Sequence, residues 1–148
     1  MNEHSFIKAI HNKLTPEVYR WKIHDTYTGG VPDAFYAGPA NILFVEYKYI
    51  KQLPVKDSTP VKTSLTKLQA AWLETMQKNG VSVALIIGSP NNICIKTSDF
   101  SSPISKIDFQ NKNNNFVTTF IEECVLISRT NDEHPTSTSS QFEKNLES

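Results

Sequence analysis

Asp33 follows Pro32 just past the glycine pair Gly29-Gly30 and Val31, and Glu46 and Lys48 stand two apart further on. Residues 41–50 (Asn-Ile-Leu-Phe-Val-Glu-Tyr-Lys-Tyr-Ile) carry the strongest strand signal in the chain. Alternate strand side chains project from one face, so Glu46 and Lys48 point together and Tyr47 points the other way. Glu46 interrupts the apolar run Ile42-Leu43-Phe44-Val45, where an uncompensated carboxylate is costly. Residues 31–36 also read as a strand, and the turn at 37–40 folds the two into an antiparallel hairpin that brings Asp33 beside Glu46. Two carboxylates supply oxygen ligands suited to Mg²⁺ (or Mn²⁺), with water and a phosphate as the other ligands. Such an ion acidifies water and stabilises charge developing on phosphate. Lys48 would position or help deprotonate that water, or neutralise the phosphate. This is a minimal phosphodiesterase. The plain alternative is a buried Glu46–Lys48 ion pair with Asp33 as a turn residue.

Charge placement favours a polyanionic partner. The 148 residues hold 15 basic and 15 acidic side chains. From Lys48 to Lys67, however, five lysines (48, 51, 56, 62, 67) face one acid, Asp57. The last 19 residues hold four acids and one lysine, and without them 14 basic and 11 acidic residues remain, about +3. The lysine cluster begins at the candidate site, so Lys51, Lys56, Lys62 and Lys67 are expected phosphate contacts, which position a backbone without reading sequence.

The elements that must position these groups follow from periodicity. Residues 3–14 place Phe6, Ile7, Ile10 and Leu14 on one helical face, and Pro16 stops that helix. His4 and His11 read as surface residues on it. Residues 19–28 suit an aromatic-rich strand, with Asp25 on its exposed face. Residues 51–64 form a long Pro-, Lys- and Thr-rich loop, the kind that is functional or mobile. Residues 66–79 read as an amphipathic helix with Leu68, Trp72, Leu73 and Met76 inward and Gly80 as its cap. Residues 81–89 form a strand buried on both faces, and 93–97 a further strand. Residues 98–115 are polar and irregular. Phe116, Phe120, Ile121, Cys124 and Ile127 then repeat at helical spacing. The order is α-β-β-β-α-β-β-α, an α/β (α+β) domain over residues 1–129 with a mixed central sheet flanked by helices. Residues 130–148 read as an acidic, disordered tail.

Several classes are excluded by composition. No apolar run approaches the roughly 20 residues of a membrane helix. The N-terminal region shows no secretory signal, so a cytoplasmic location is expected. Cys94 and Cys124 lie in apolar surroundings as buried free thiols, and the absence of C-x-x-C argues against zinc.

Gly30-Val31-Pro32-Asp33 followed by Glu46-Tyr47-Lys48 resembles the signature of the PD-(D/E)XK nuclease superfamily. The stretch Leu65-Thr66-Lys67-Leu68-Gln69-Ala70-Ala71-Trp72-Leu73, then Gly80 and an apolar strand, is similar to its VRR-NUC (virus-type replication-repair nuclease) branch. The likeness covers residues 3–89. It implies a restriction-endonuclease-like core and Mg²⁺- or Mn²⁺-dependent hydrolysis of DNA by Asp33, Glu46 and Lys48, nicking or structure-selective. It adds Gln69 beside the metal and Glu3 as a further acid completing the metal shell. Both have plain readings: Thr66-x-x-Gln69 is a capping-box pattern, and acids are favoured at helix starts. Members this short look like phage or mobile-element proteins, whose place would be the host cytoplasm. Cutting both strands or a junction asks for two active sites, hence a homodimer. Two other readings stay open. One is a restriction-type nuclease with its recognition surface in 98–129. The other is a catalytically inactive DNA-binding or interaction module that retains the fold.

Overall fold

The computed structural model describes residues 1–128; the acidic tail lies outside the described residues. Helix α1 (Glu3–Lys13) starts on Asn2, whose Oδ1 accepts the Ser5 amide at 2.9 Å while Ser5 Oγ accepts the Asn2 amide at 2.9 Å. Strands β1 (Tyr19–Lys22), β2 (Ala34–Ala37) and β3 (Ile42–Tyr49) follow. Helix α2 (Lys67–Lys78), strands β4 (Val83–Ser89) and β5 (Asn92–Lys96), and helix α3 (Asn114–Leu126) complete the chain, with a short 3₁₀ turn at Lys106–Asp108. The expected order of elements is the observed one.

One five-stranded sheet runs β1-β2-β3-β4-β5. Neighbours are antiparallel except β3 and β4, which are parallel and joined by α2, as a parallel pair needs a crossover. Helices α1 and α3 cover one face, burying Tyr36, Val45, Tyr47, Ile86 and Ile121. Helix α2 and the 98–110 segment close a second core around Leu73, Leu85, Ile87, Phe100 and Ile104. Every residue of β4 is buried, as its unbroken apolar run requires.

Four expectations are corrected. The first long strand stops at Lys22; Asp25 lies beyond it in a loop, its Oδ1 accepting the amides of Tyr27 and Thr28 at 2.8 and 3.3 Å, an Asx turn that competes with strand. Of the four residues of α2 expected inward, Leu73 is buried and Trp72 and Met76 pack against the core, but Leu68 is 63% exposed and Ala70 is buried in its place. Ile127 lies exposed beyond α3, whose core residues include Val117 and Val125. The 51–64 loop is anchored rather than free: Val61 is buried and donates to the Ile104 carbonyl at 2.8 Å, and Lys106 Nζ reaches Val55 O at 3.3 Å. Cys94 and Cys124 are buried and unpaired. Among the described residues no helix is long and apolar enough to cross a membrane.

Candidate active site

Asp33 sits one residue before β2, and the β2–β3 register Ala34↔Val45 sets it opposite Glu46. Phe35, two residues on, is paired with Phe44, two residues before Glu46. By the two-residue period, Asp33, Phe35, Phe44, Glu46 and Lys48 therefore share one sheet face, the α2 side. The chain reaches this geometry through Gly30. Its φ of +85° belongs to the left-handed region, and a Cβ there would lie 2.5 Å from the Leu68 carbonyl oxygen. The start of α2 and the approach to Asp33 touch backbone to backbone, which only glycine permits.

Asp33 is held from two sides. Its Oδ2 accepts the Tyr47 amide at 2.8 Å, and its Oδ1 lies 3.7 Å from Lys22 Nζ. Glu46 is 2% exposed, and its Oε2 lies 3.4 Å from Lys48 Nζ. Burial pushes the Glu46 carboxyl up to about 8, and the Asp33 carboxylate, near enough to hydrogen-bond it, pushes the same way; Lys48 offsets only part. Two carboxyl groups forced together in a poorly solvated place call for a proton or a cation between them. Glu3, the first residue of α1, lies within electrostatic reach of Asp33 but does not gather with Asp33 and Glu46 into the three-acid metal cluster that the resemblance implies. Its pKa is raised by burial and then by the Asp33 charge, with Lys48 and Lys22 acting against this.

The other predicted residues are placed as follows. Gln69 closes the capping box: its Oε1 accepts the Thr66 amide at 2.9 Å, and Thr66 Oγ1 accepts the Gln69 amide at 3.1 Å. The plain structural role is thus present, and it puts Gln69 next to the Leu68–Gly30 contact. Lys51, Lys56, Lys62 and Lys67 are all exposed, with Lys51 just past β3 and Lys67 opening α2.

Lys22 was not singled out from sequence; its place beside Asp33 arises from the Lys22↔Ala34 pairing across an 11-residue loop, residues 23–33. His11 corrects the reading as a surface residue. It is half-buried, its Nε2 lies 2.8 Å from the Tyr36 hydroxyl, and that hydroxyl is 2.6 Å from the Tyr47 hydroxyl. Burial, then Arg20 and Lys22, lower its pKa to about 4, so it is neutral at ordinary pH. This chain of neutral groups lies behind β3, on the face away from Glu46.

Among the described residues, no three His, Cys, Asp or Glu side chains gather closely enough to form a metal site by themselves. Two facing carboxylates nevertheless match a hard divalent cation that keeps waters and takes substrate oxygens as its remaining ligands.

No family model matches the chain, and none of the curated proteins matches it in sequence. Among solved structures, it is similar to Hjc, a Holliday junction resolvase from the archaeal hyperthermophile Archaeoglobus fulgidus, with a TM-score of 0.49 and 12% sequence identity over 70% of this chain and 86% of that one.

Proposed function

We propose that this chain is a divalent-metal-dependent nuclease of the PD-(D/E)XK type that hydrolyses phosphodiester bonds in DNA. The observation that carries the reading is the pairing of the buried Glu46 carboxyl with the half-buried Asp33 carboxylate on one sheet face, with Lys48 Nζ 3.4 Å from Glu46. Asp33 and Glu46 would hold Mg²⁺ or Mn²⁺, with Glu3 near enough in charge to assist. The ion would supply Lewis acidity toward a phosphate oxygen and an acidified water.

The chain's own groups do the rest. The Tyr47 amide fixes one Asp33 oxygen and so sets the direction of the other. The Lys48 ammonium sits against Glu46 in a place of low polarity, where its charge stabilises a phosphate more strongly than it would in water. Lys22, beside Asp33, adds a second cation for a substrate phosphate. The exposed Lys51, Lys56, Lys62 and Lys67 would contact the DNA backbone farther out. Gln69 keeps the start of α2 in place against Gly30 and thereby supports the approach to Asp33. Cleavage of both strands would use two copies of the chain.

The test is incubation of the full chain with supercoiled plasmid, linear duplex and a four-way junction, with Mg²⁺ or Mn²⁺. Nicking or cleavage is expected, lost in Glu46→Ala and Lys48→Ala and with a chelator. Cleavage that persists in Glu46→Ala would remove this mechanism.

A further inference from the structure

The sheet face that holds Asp33 and Glu46 continues away from them as a row of aromatic rings. Phe35 and Phe44 are cross-strand partners, each one alternation from a carboxylate, a step of about 7 Å along its strand. Their ring centroids are 5.0 Å apart. Phe35 also meets Trp21 at 6.1 Å and Tyr19 at 6.2 Å, both edge-on. At the other end Trp72 of α2 covers Phe44 at 5.2 Å. The row runs out from under α2 and ends in the open, with Trp21 50% and Tyr19 60% exposed.

Large apolar side chains left open on an outer strand expose a protein to unwanted pairing, so this patch invites a ligand. Its surroundings are cationic on the catalytic side: Lys22 stands at Asp33, Lys48 at Glu46, and Lys67 opens the helix turn that touches Gly30. Ring faces beside a phosphate-binding track are the general recipe for single-stranded nucleic acid, since every base has a face to stack. A second copy of this chain, or another protein, seated over Trp21 and Phe35 would cover the ground one strand step from Asp33, where substrate has to arrive. A substrate strand lying there would not.

We propose that the open aromatic face of β1 and β2, centred on Trp21 with Tyr19 and Phe35, stacks unpaired bases of the strand whose phosphate is presented to Asp33 and Glu46. The inference rests on the nuclease reading and sharpens its substrate class: nucleic acid with unpaired bases, as in single strands, flaps or branch points, rather than continuous duplex.

The experiment compares binding by the full chain, in chelator, of a fluorescent oligo-dT of about 20 bases and of a duplex of about the same length. Affinity for oligo-dT falls at least about tenfold in the double variant Tyr19→Ala/Trp21→Ala, since the rings on which the bases stack are removed. Duplex affinity changes less than about twofold, and the salt dependence on oligo-dT is unaltered because phosphate contacts remain. Trp21→Phe keeps a ring and retains affinity within about threefold. A separate readout guards against a variant that misfolds: oligo-dT quenches the fluorescence of the wild type, and that quenching is lost in Trp21→Phe although Trp72 remains. Equal loss on both substrates, loss on neither, or quenching that survives in Trp21→Phe overturns the proposal. A wild-type dimer that the double variant converts to monomer also overturns it, by giving the face to a second copy. Plasmid cleavage with Mn²⁺ is measured in parallel. Glu46-dependent cleavage without aromatic-dependent binding leaves the nuclease standing and removes the stacking. Aromatic-dependent binding without such cleavage does the reverse.

Discussion

Strand β3 carries two buried polar groups back to back, and they are built on opposite principles. On the α1 and α3 side, Tyr47, Tyr36 and His11 form a chain of neutral hydrogen bonds at 2.6 and 2.8 Å. Each hydroxyl has a partner, and burial holds both tyrosines well above their ordinary pKa and His11 below its own, so no charge is formed. On the α2 side, Glu46 faces Asp33 with only Lys48 and Lys22 to offset two carboxylates. A neutral chain fully paired stabilises the fold, whereas a like-charged pair in a poorly solvated place strains it until a cation or proton arrives. The difference marks one face as scaffold and the other as a site.

The widest gap between the faces is expected in activity. Asp33→Asn or Glu46→Gln lowers the rate of plasmid cleavage by on the order of a thousandfold, about 4 kcal/mol of barrier. Melting of the metal-free protein is nearly unchanged by Glu46→Gln near pH 7, since glutamine replaces a carboxyl that burial already keeps protonated. A variant that loses activity only by unfolding breaks the distinction.

Next in size is pH. The folded pKa of Glu46, about 8, lies above the usual carboxylate value of 4.5. Its stabilising contribution is therefore fully present below pH 4.5 and is lost as pH rises through about 8, a change of about 2–5 kcal/mol in metal-free protein. His11 works the other way. Its folded pKa, about 4, lies below 6.5, so its contribution is present above pH 6.5 and is lost as pH falls through about 4. Melting temperature followed against pH shows both slopes. Glu46→Gln removes the loss on the alkaline side and His11→Gln the loss on the acid side; if each variant leaves its slope intact, the two faces do not differ in this way.

Tyr36→Phe takes the hydroxyl shared by His11 and Tyr47 and lowers unfolding free energy by about 2–3 kcal/mol in a denaturant titration. A loss under about 0.5 kcal/mol would mean that this chain is not a scaffold.

The smallest effect separates the two roles of Gln69. As a cap alone, Gln69→Ala costs about 0.5–1 kcal/mol of stability and leaves cleavage within a few fold. A loss of tenfold or more in rate without a matching loss in stability would make it a site residue as well.

Much of this was legible before any coordinates. Period two along β3 fixed Glu46 and Lys48 on one side, and a short turn set Asp33 opposite. Both are local rules, and a hairpin propagates them over few residues. What was not legible depends on pairings that cross long loops. Lys22 reaches Asp33 because β1 ends at Lys22 rather than continuing to 28. His11 finds a tyrosine hydroxyl 25 residues away, which no helix pattern reports. Leu68 shows the limit of periodicity: the inward face of α2 is set by where the helix docks on β4, which keeps Leu73 inside but buries Ala70 where Leu68 was expected. The aromatic row was equally hidden, since residues 19–22 (Tyr-Arg-Trp-Lys) do not say which side of the strand a helix leaves open.

The central claim is that Asp33 and Glu46 share one divalent ion. It is tested most directly by calorimetric titration of Mn²⁺ into the full chain near pH 7, in two buffers of different ionisation heat. With Glu46 held protonated to about 8, binding of one ion per chain should release about one proton, and Glu46→Gln should abolish both binding and release. Binding of unchanged affinity in Glu46→Gln, or no binding in the wild type, would contradict the account.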